Sequence, residues 1–182
     1  FNREASKAQA AKYGRRDPDW QFGTNPCSEI ILRPYQFCNL TEVVVRSGDN
    51  FADLARKVRI ATTLGTIQST YTKFPYLRKI WKDNTEEERL LGVSLTGIMD
   101  NPLLTSKSNG LSKNLENLRQ VAVNTNNSLA NTLGINPAAA ITCVKPSGTV
   151  SQLCDSASGI HPRHSQYYIR RVRGDNKDPL TK

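Results

Sequence analysis

Breakers and apolar runs alternate along the first forty-five residues. Gly23, Asn25 and Pro26 interrupt the chain, and a residue before proline is pushed away from helix, so a turn is expected there. Ile30, Ile31 and Leu32 then read as a short strand, and Phe37 through Val45 as a second. Ser47-Gly48-Asp49-Asn50 supplies a turn and a cap. After it Phe51, Leu54, Val58, Ala61, Leu64, Gln68 and Tyr71 fall at helical intervals, with only Gln68 interrupting the stripe. A polar stretch, Lys82 to Arg89, precedes Leu90 to Asp100, whose alternation predicts a strand and a tight loop. A further helix is expected over roughly Ser112 to Leu133, with Leu115, Leu118, Val121, Ala122, Leu129 and Leu133 on one face and Gly134 as its stop. Ala140 to Val144 reads as a buried strand, followed by a Pro/Gly turn and the opening of another helix.

Strand, helix, strand, helix, strand is the order expected of parallel strands covered by helices, so periodicity predicts an α/β layer architecture. No internal repeat or low-complexity tract divides the chain, and one domain is expected over residues 1–182. At 182 residues it can bury a real core, and 37% hydrophobic with 23% charged residues is ordinary for a globular protein.

The formal net charge of +9 suits an anionic partner, which nucleotide phosphates satisfy as well as nucleic acid does. The basic residues are scattered, as in Arg15-Arg16, Arg56-Lys57-Val58-Arg59, Arg78-Lys79 and Arg170-Arg171-Val172-Arg173. No stacking platform or recognition helix organises them, so a solvated surface is expected and direct nucleic-acid binding is not. Four cysteines without a Cys-x-x-Cys pair, no leader-like segment and no apolar run of about eighteen residues predict a reducing, soluble compartment, by default the cytoplasm, and no membrane partner.

Three segments carry chemistry. Thr24-Asn25-Pro26-Cys27-Ser28-Glu29-Ile30 places an amide, a thiol and a carboxylate within five residues, a set that can hold a hydroxyl, accept its proton and offer a sulfur. Cys38 follows eleven residues after Cys27. A lone cysteine is most simply a small buried hydrophobe, and Cys143 and Cys154 are read so, as core thiols. The second segment is Lys145-Pro146-Ser147-Gly148-Thr149-Val150-Ser151, where a turn opens a helix and exposed amides with small hydroxyl residues could take phosphate. An ordinary capped helix is the structural alternative, and the Gly-Lys-Ser/Thr signature of a Walker loop is absent. The third is Ser158-Gly159-Ile160-His161-Pro162-Arg163, leading past His164 into Tyr167-Tyr168, a pair read as packing. His161 and His164 lack an accompanying ligand cluster, so no metal site is expected.

These segments together resemble the adenosylcobalamin-dependent (class II) ribonucleotide reductases. Asn-Pro-Cys-Ser-Glu-Ile is similar to their active-site finger loop, Pro146 to Ser151 to their substrate-phosphate loop, Ser-Gly-Ile-His-Pro-Arg to a further segment, and the Arg89 to Gly97 run to a later barrel strand. The resemblance implies a ten-stranded α/β barrel, of which this chain would be roughly the second half around a central finger loop. It implies Cys27 as the thiyl-radical residue, Glu29 as base, Asn25 as the residue binding substrate hydroxyls and Cys38 as one of two reducing thiols. Ser147, Gly148, Thr149 and Ser151 would hold the substrate phosphates, and adenosylcobalamin would be the cofactor.

The implied reaction reduces ribonucleoside tri- or diphosphates to 2'-deoxyribonucleotides for DNA synthesis, with a thioredoxin-like or dithiol reductant. The thiol that pairs with Cys38 would lie in an N-terminal half outside this chain, and the segment alone is expected to be inactive. Two rival readings are the large subunit of a class I reductase, whose radical comes from a separate metal-bearing subunit, and a non-catalytic basic nucleic-acid-binding domain.

Overall fold

The computed structural model describes residues 3–105, 110–169 and 171–181. Apolar alternation in the two central runs produces a parallel pair. β3 (Asn39–Val44) lies beside β4 (Leu91–Thr96), in register from Asn39↔Leu91 to Val44↔Thr96. Residues 138–143 extend the set on the other side of β4. Val93 bridges Thr142, the Leu91 N–H donates to the Ala140 carbonyl (2.9 Å) and the Cys143 N–H to that of Val93 (3.1 Å). This parallel arrangement fits the α/β expectation; the described residues form these strands and do not close a barrel.

The crossover from β3 to β4 contains α2 (Phe51–Gln68) and α3 (Lys79–Glu88). Asn50 starts α2 with a capping box, its side chain accepting from Asp53 N–H (3.1 Å) while Asp53 accepts from Asn50 N–H (3.2 Å). The buried face of α2 is Leu54, Val58, Ala61, Thr62, Gly65 and Thr66. Leu64 and Tyr71, placed on that face by the sequence pattern, are instead exposed, because the small residues Ala61 and Gly65 take the contact with the sheet and turn Leu64 outward.

α5 (Leu111–Leu133) packs on α2 and ends, as its pattern predicts, at Gly134 with φ 66°. Its buried positions are Leu118, Ala122, Asn126 and Ala130, whereas Leu115 and Leu133 are partly exposed. Asn126 donates to Thr66 Oγ1 (2.9 Å) and accepts from Ala138 N–H (2.8 Å), so one buried, satisfied amide ties α2, α5 and the third strand together. Between sheet and helices lies a core including Val43, Val45, Leu54, Val58, Leu91 and Val93.

Because strand side chains alternate, the register that buries Val43, Leu91 and Val93 turns Leu40, Glu42, Gly92 and Ser94 to the opposite face. A short hairpin lies against this second face. Its strands are β1 (Gly23–Thr24) and β2 (Ile31–Leu32), paired antiparallel as Gly23↔Leu32 and Thr24↔Ile31. N-terminal to it is α1 (Arg3–Ala11).

Arg16, expected at a solvated surface, is buried and anchors this hairpin. Its guanidinium grips both Glu88 carboxylate oxygens (2.9 and 2.8 Å) and donates to the Ile31 carbonyl (2.8 Å). Arg33 donates to Asn84 (2.7 Å) and Glu87 (2.9 Å), and Gln36 donates to Glu88. These bonds explain why the polar stretch 82–89 lies largely within a helix. α3 is polar nearly all round and is held by the pairs Lys79–Asp83 and Lys82–Glu86 together with the two arginines.

Beyond β4, α4 (Pro102–Thr105) precedes α5, and α6 (Thr149–Leu153) follows the third strand. Tyr167 and Tyr168, the pair read as packing ahead of a basic strand-like run, are exposed at 82% and 54%. Arg170 of that run lies outside the described residues.

Candidate active site

Residues 25–30 form the tip of the β1–β2 hairpin. Asn25 closes it three ways: its N–H donates to the Ile30 carbonyl (3.3 Å), its side-chain oxygen accepts from Ile30 N–H (3.0 Å), and its carbonyl accepts from Ser28 N–H (3.0 Å). Ser28 completes the turn in the left-handed region at φ 61°, an arrangement that costs a non-glycine residue roughly 1 kcal/mol or more. On either side of Ser28 two reactive groups meet different environments. Cys27 is exposed, whereas the Glu29 side chain is only 1% exposed.

Glu29 Oε1 accepts a 2.8 Å hydrogen bond from Lys145 Nζ, and Oε2 is buried with no hydrogen-bond partner. Burial pushes the carboxyl upward, but the Lys145 bond, with the Glu29 backbone N–H and the Asn25 amide close by, outweighs it and holds Glu29 below the usual carboxylate range. Lys145 is raised in return, chiefly by the same bond.

The hairpin tip reaches the sheet at Gly92. A Cβ there would lie 3.1 Å from Ile30 Cδ1 and 3.3 Å from Cys143 Sγ, and closer still to Leu40 Cδ2. The missing side chain is what lets Ile30 seat on the strand. Cys143 therefore stands on the face that the cysteine loop covers, half-buried, and not in the hydrophobic core where the sequence reading put it. Cys38, half-buried just ahead of β3, has its pKa pushed up to about 12 by burial and then by Cys143. Cys143 is pushed to about 12 by burial and by Glu29. Both are protonated thiols near neutrality, hydrogen donors and not thiolate nucleophiles.

The turn after the third strand folds around Ser147. Ser147 Oγ donates to Glu42 Oε2 (3.0 Å) and accepts from Ser151 N–H (3.2 Å), while its carbonyl accepts from both Ser151 Oγ and Ser158 Oγ. Ser147 and Ser151 are buried, their bonds made within the turn and to Glu42; Gly148 and Thr149 are exposed at its tip. Gly159, at φ 55°, lies close against the turn, where a Cβ would meet the Lys145 carbonyl oxygen at 2.9 Å. Arg163 fixes the following segment through Asp100 (3.0 Å) and Asp155 (2.8 Å), and the Gly159 N–H donates to Thr96 Oγ1 (2.8 Å). His161 and His164 are exposed.

Two side-chain contacts thus bring separate segments together, Glu29 with Lys145 across 116 positions and Glu42 with Ser147 across 105. A carboxylate, two protonated thiols, an exposed thiol and a tight Ser/Gly/Thr turn share one side of a parallel sheet. Such a set can hold a polyhydroxylated, anionic ligand, accept a proton and donate hydrogen from sulfur.

No protein-family model matches the chain. The adenosylcobalamin-dependent ribonucleoside-triphosphate reductase of Lactobacillus delbrueckii subsp. bulgaricus is 30% identical over 183 residues, covering 87% of this chain and 24% of the relative. The enzyme of the same name from Lacticaseibacillus paracasei is 30% identical over 210 residues, covering 99% of this chain and 26% of the relative. A crystal structure of a B12-dependent (class II) ribonucleotide reductase superposes with a TM-score of 0.65 at 27% identity, over 76% of this chain and 22% of that one. The chain is homologous to the adenosylcobalamin-dependent ribonucleotide reductases.

It spans about a quarter of the length of the reductases it matches. Among the described residues no helix is long and apolar enough to cross a membrane. Within this chain, sequence reasoning left Lys145, Glu42, Gly92 and Gly159 without a role. Alternation from Leu40 could have flagged Glu42 as a carboxylate facing with the site, and a glycine inside a strand could have flagged Gly92. Nothing local marks Lys145 as the partner of Glu29.

Proposed function

We propose that this chain carries the thiyl-radical site of a class II ribonucleotide reductase, acting on ribonucleoside tri- or diphosphates. The observation that carries this reading is the Glu29–Lys145 contact, which draws the cysteine loop and the proposed phosphate turn into one site. In the complete enzyme the segment would supply the second half of a ten-stranded barrel around the finger loop, and the barrel would keep water from the radical.

Cys27 is the exposed member of the four cysteines, so its sulfur is the one open to a bulky cofactor, and the fit to adenosylcobalamin rests on that. Adenosylcobalamin, when bound, would supply the one-electron radical chemistry that takes a hydrogen atom from a thiol. Cys27 gives up its S–H hydrogen atom, and the sulfur radical takes the 3'-hydrogen of the ribose. Glu29 accepts the 3'-hydroxyl proton, a role suited to a carboxylate kept ionised with one unpartnered oxygen. Asn25 orients the sugar hydroxyls.

Of Cys38, held as a thiol, and a second thiol from outside this chain, one gives its proton to the departing 2'-hydroxyl, which leaves as water, and the other's hydrogen goes to C2', while Glu29 returns its proton to the 3'-oxygen. Their two sulfurs close a disulfide as the ribose is reduced, and Cys27 returns hydrogen to C3'. An external dithiol then reopens the disulfide. Gly148 and Thr149 offer exposed backbone and hydroxyl groups to the phosphates, with Ser147 and Ser151 shaping the turn behind them.

The test is 2'-deoxyribonucleotide formation by the gene product that carries this chain, supplied with ribonucleoside triphosphates and a dithiol, with and without adenosylcobalamin. Product that requires the cofactor and disappears in Cys27→Ser, with the circular dichroism unchanged, is expected. Turnover without cobalamin that needs a metal-bearing partner subunit, or turnover that survives Cys27→Ser, would refute the proposal.

A further inference from the structure

Lys145 lies one residue before Pro146 and so belongs by position to the phosphate turn, yet its ammonium points to the cysteine loop. Its 2.8 Å bond to Glu29 Oε1 reaches a carboxylate whose side chain is 1% exposed, while Lys145 itself is 29% exposed. The bond uses one oxygen only. The other, Oε2, is buried and unpartnered, although a carboxylate oxygen shut away from water costs free energy unless something donates to it. A partner is therefore expected at Oε2, and a ligand hydroxyl has the right chemistry.

Other cations nearby are committed elsewhere or do not bond to Glu29. Tyr13, Arg15, Arg16 and Arg119 border, with Glu29, a cavity of about 160 Å³. Arg16 is bound to Glu88 and Arg119 to Glu116, and Arg15 donates to the Ala138 carbonyl (3.4 Å). The remaining titratable neighbours are Cys143 beside Lys145 on the third strand, Cys38 ahead of β3, and Cys27 in the loop, with Glu42 on β3 near Cys143.

Resting on the reading of Glu29 as the base, we propose that Lys145 is a positioning residue for the reaction: it fixes Glu29 through Oε1 and reserves Oε2 for the substrate hydroxyl. The Lys145 backbone leads directly into this turn and lies close against Gly159, where an added Cβ would meet the Lys145 carbonyl oxygen at 2.9 Å, so the placement of Glu29 is coupled to the turn. The turn and the base then move as one unit, which is a physical reason for a lysine at this position where a phosphate contact would otherwise be expected.

The experiment compares the parent protein with Lys145→Met and Lys145→Arg. Glu29 is titrated by NMR of ¹³C-labelled glutamate in this chain, with urea midpoints to check folding. The Glu29 midpoint should rise in K145M and fall back toward the parent in K145R. Turnover is read as kcat and KM against pH in the intact reductase. K145M should lower kcat by roughly 100-fold with KM little changed, and shift the acidic limb of the profile to higher pH, with partial recovery in K145R. An unchanged Glu29 midpoint in folded K145M overturns the proposal. So does a rise in KM with kcat kept, which would make Lys145 a phosphate contact. Absence of cobalamin-dependent turnover in the parent enzyme would overturn the reading of the site, whereas the Glu29 titration judges the Lys145 pairing independently.

Discussion

Replacing Gly159 by alanine tests whether the Ser-Gly-Ile-His-Pro-Arg segment supports the proposed phosphate turn. Two costs arise. Gly159 lies at φ 55°, and left-handed backbone costs an L-residue roughly 1–2 kcal/mol. The new Cβ would also stand 2.9 Å from the Lys145 carbonyl oxygen, 3.5 Å from Pro146 Cα and 3.7 Å from Ser147 N. These are backbone atoms, which cannot swing aside as a side-chain tip does, so the turn must shift, and overpacking of this kind costs about 1–3 kcal/mol. The total is about 2–5 kcal/mol. Gly134→Ala is the control, because φ there is 66° with nothing within 4 Å of the new Cβ, leaving about 1–2 kcal/mol from the backbone alone. Urea denaturation with an unchanged m-value measures both losses. Calorimetric titration with a ribonucleoside triphosphate reads the function, and a turn displaced at a cost of about 1.4 kcal/mol or more should bind about tenfold weaker or worse. G134A should bind as the parent does. Equal destabilisation by the two variants, or an intact affinity in G159A, would refute the support role.

Two further outcomes are expected. Glu88→Ala leaves Arg16 and Arg33, with side chains 5% and 1% exposed, without their buried carboxylate, and breaking such a pair from one side costs about 3–5 kcal/mol; a urea-measured loss below about 1 kcal/mol would show the network is not what anchors the hairpin. Stability should also fall at high pH. Cys38 and Cys143 titrate at about 12 in the folded chain against 9.0 unfolded, so folding favours the neutral thiol, and that contribution is intact below pH 9.0 and is lost as pH rises toward 12. The urea midpoint should decline across that window and decline less in Cys143→Ala; identical slopes would contradict the burial of this thiol.

Legibility in the sequence followed how locally each feature is determined. β3, α2 and α5 carry their own signals, in alternation, in the Asn50 capping box and in the Gly134 stop, and they formed close to where those signals lie. α3 carries none, because what holds it is two arginines far away in sequence, and a polar run of Lys, Asp and Glu looks the same whether solvated or gripped. The Arg15-Arg16 pair was misleading for the same reason: charge density describes a segment, and burial of Arg16 depends on Glu88, 72 positions away.

The site divides along that line too. The cysteine loop and the Pro146 turn are each visible as concentrations of breakers and reactive groups, but nothing within either announces that they meet. Their meeting is a consequence of register. Leu40 opposite Gly92 and Val93 opposite Thr142 set which side chains of three parallel strands share a face, and one residue of slip would send Glu42 and Cys143 into the core and Thr41 and Thr142 to the site. Gly92 is where the two scales join. It is a local oddity, a glycine inside a buried strand, and its empty side-chain position is the space that Ile30 needs for Glu29 to come within reach of Lys145.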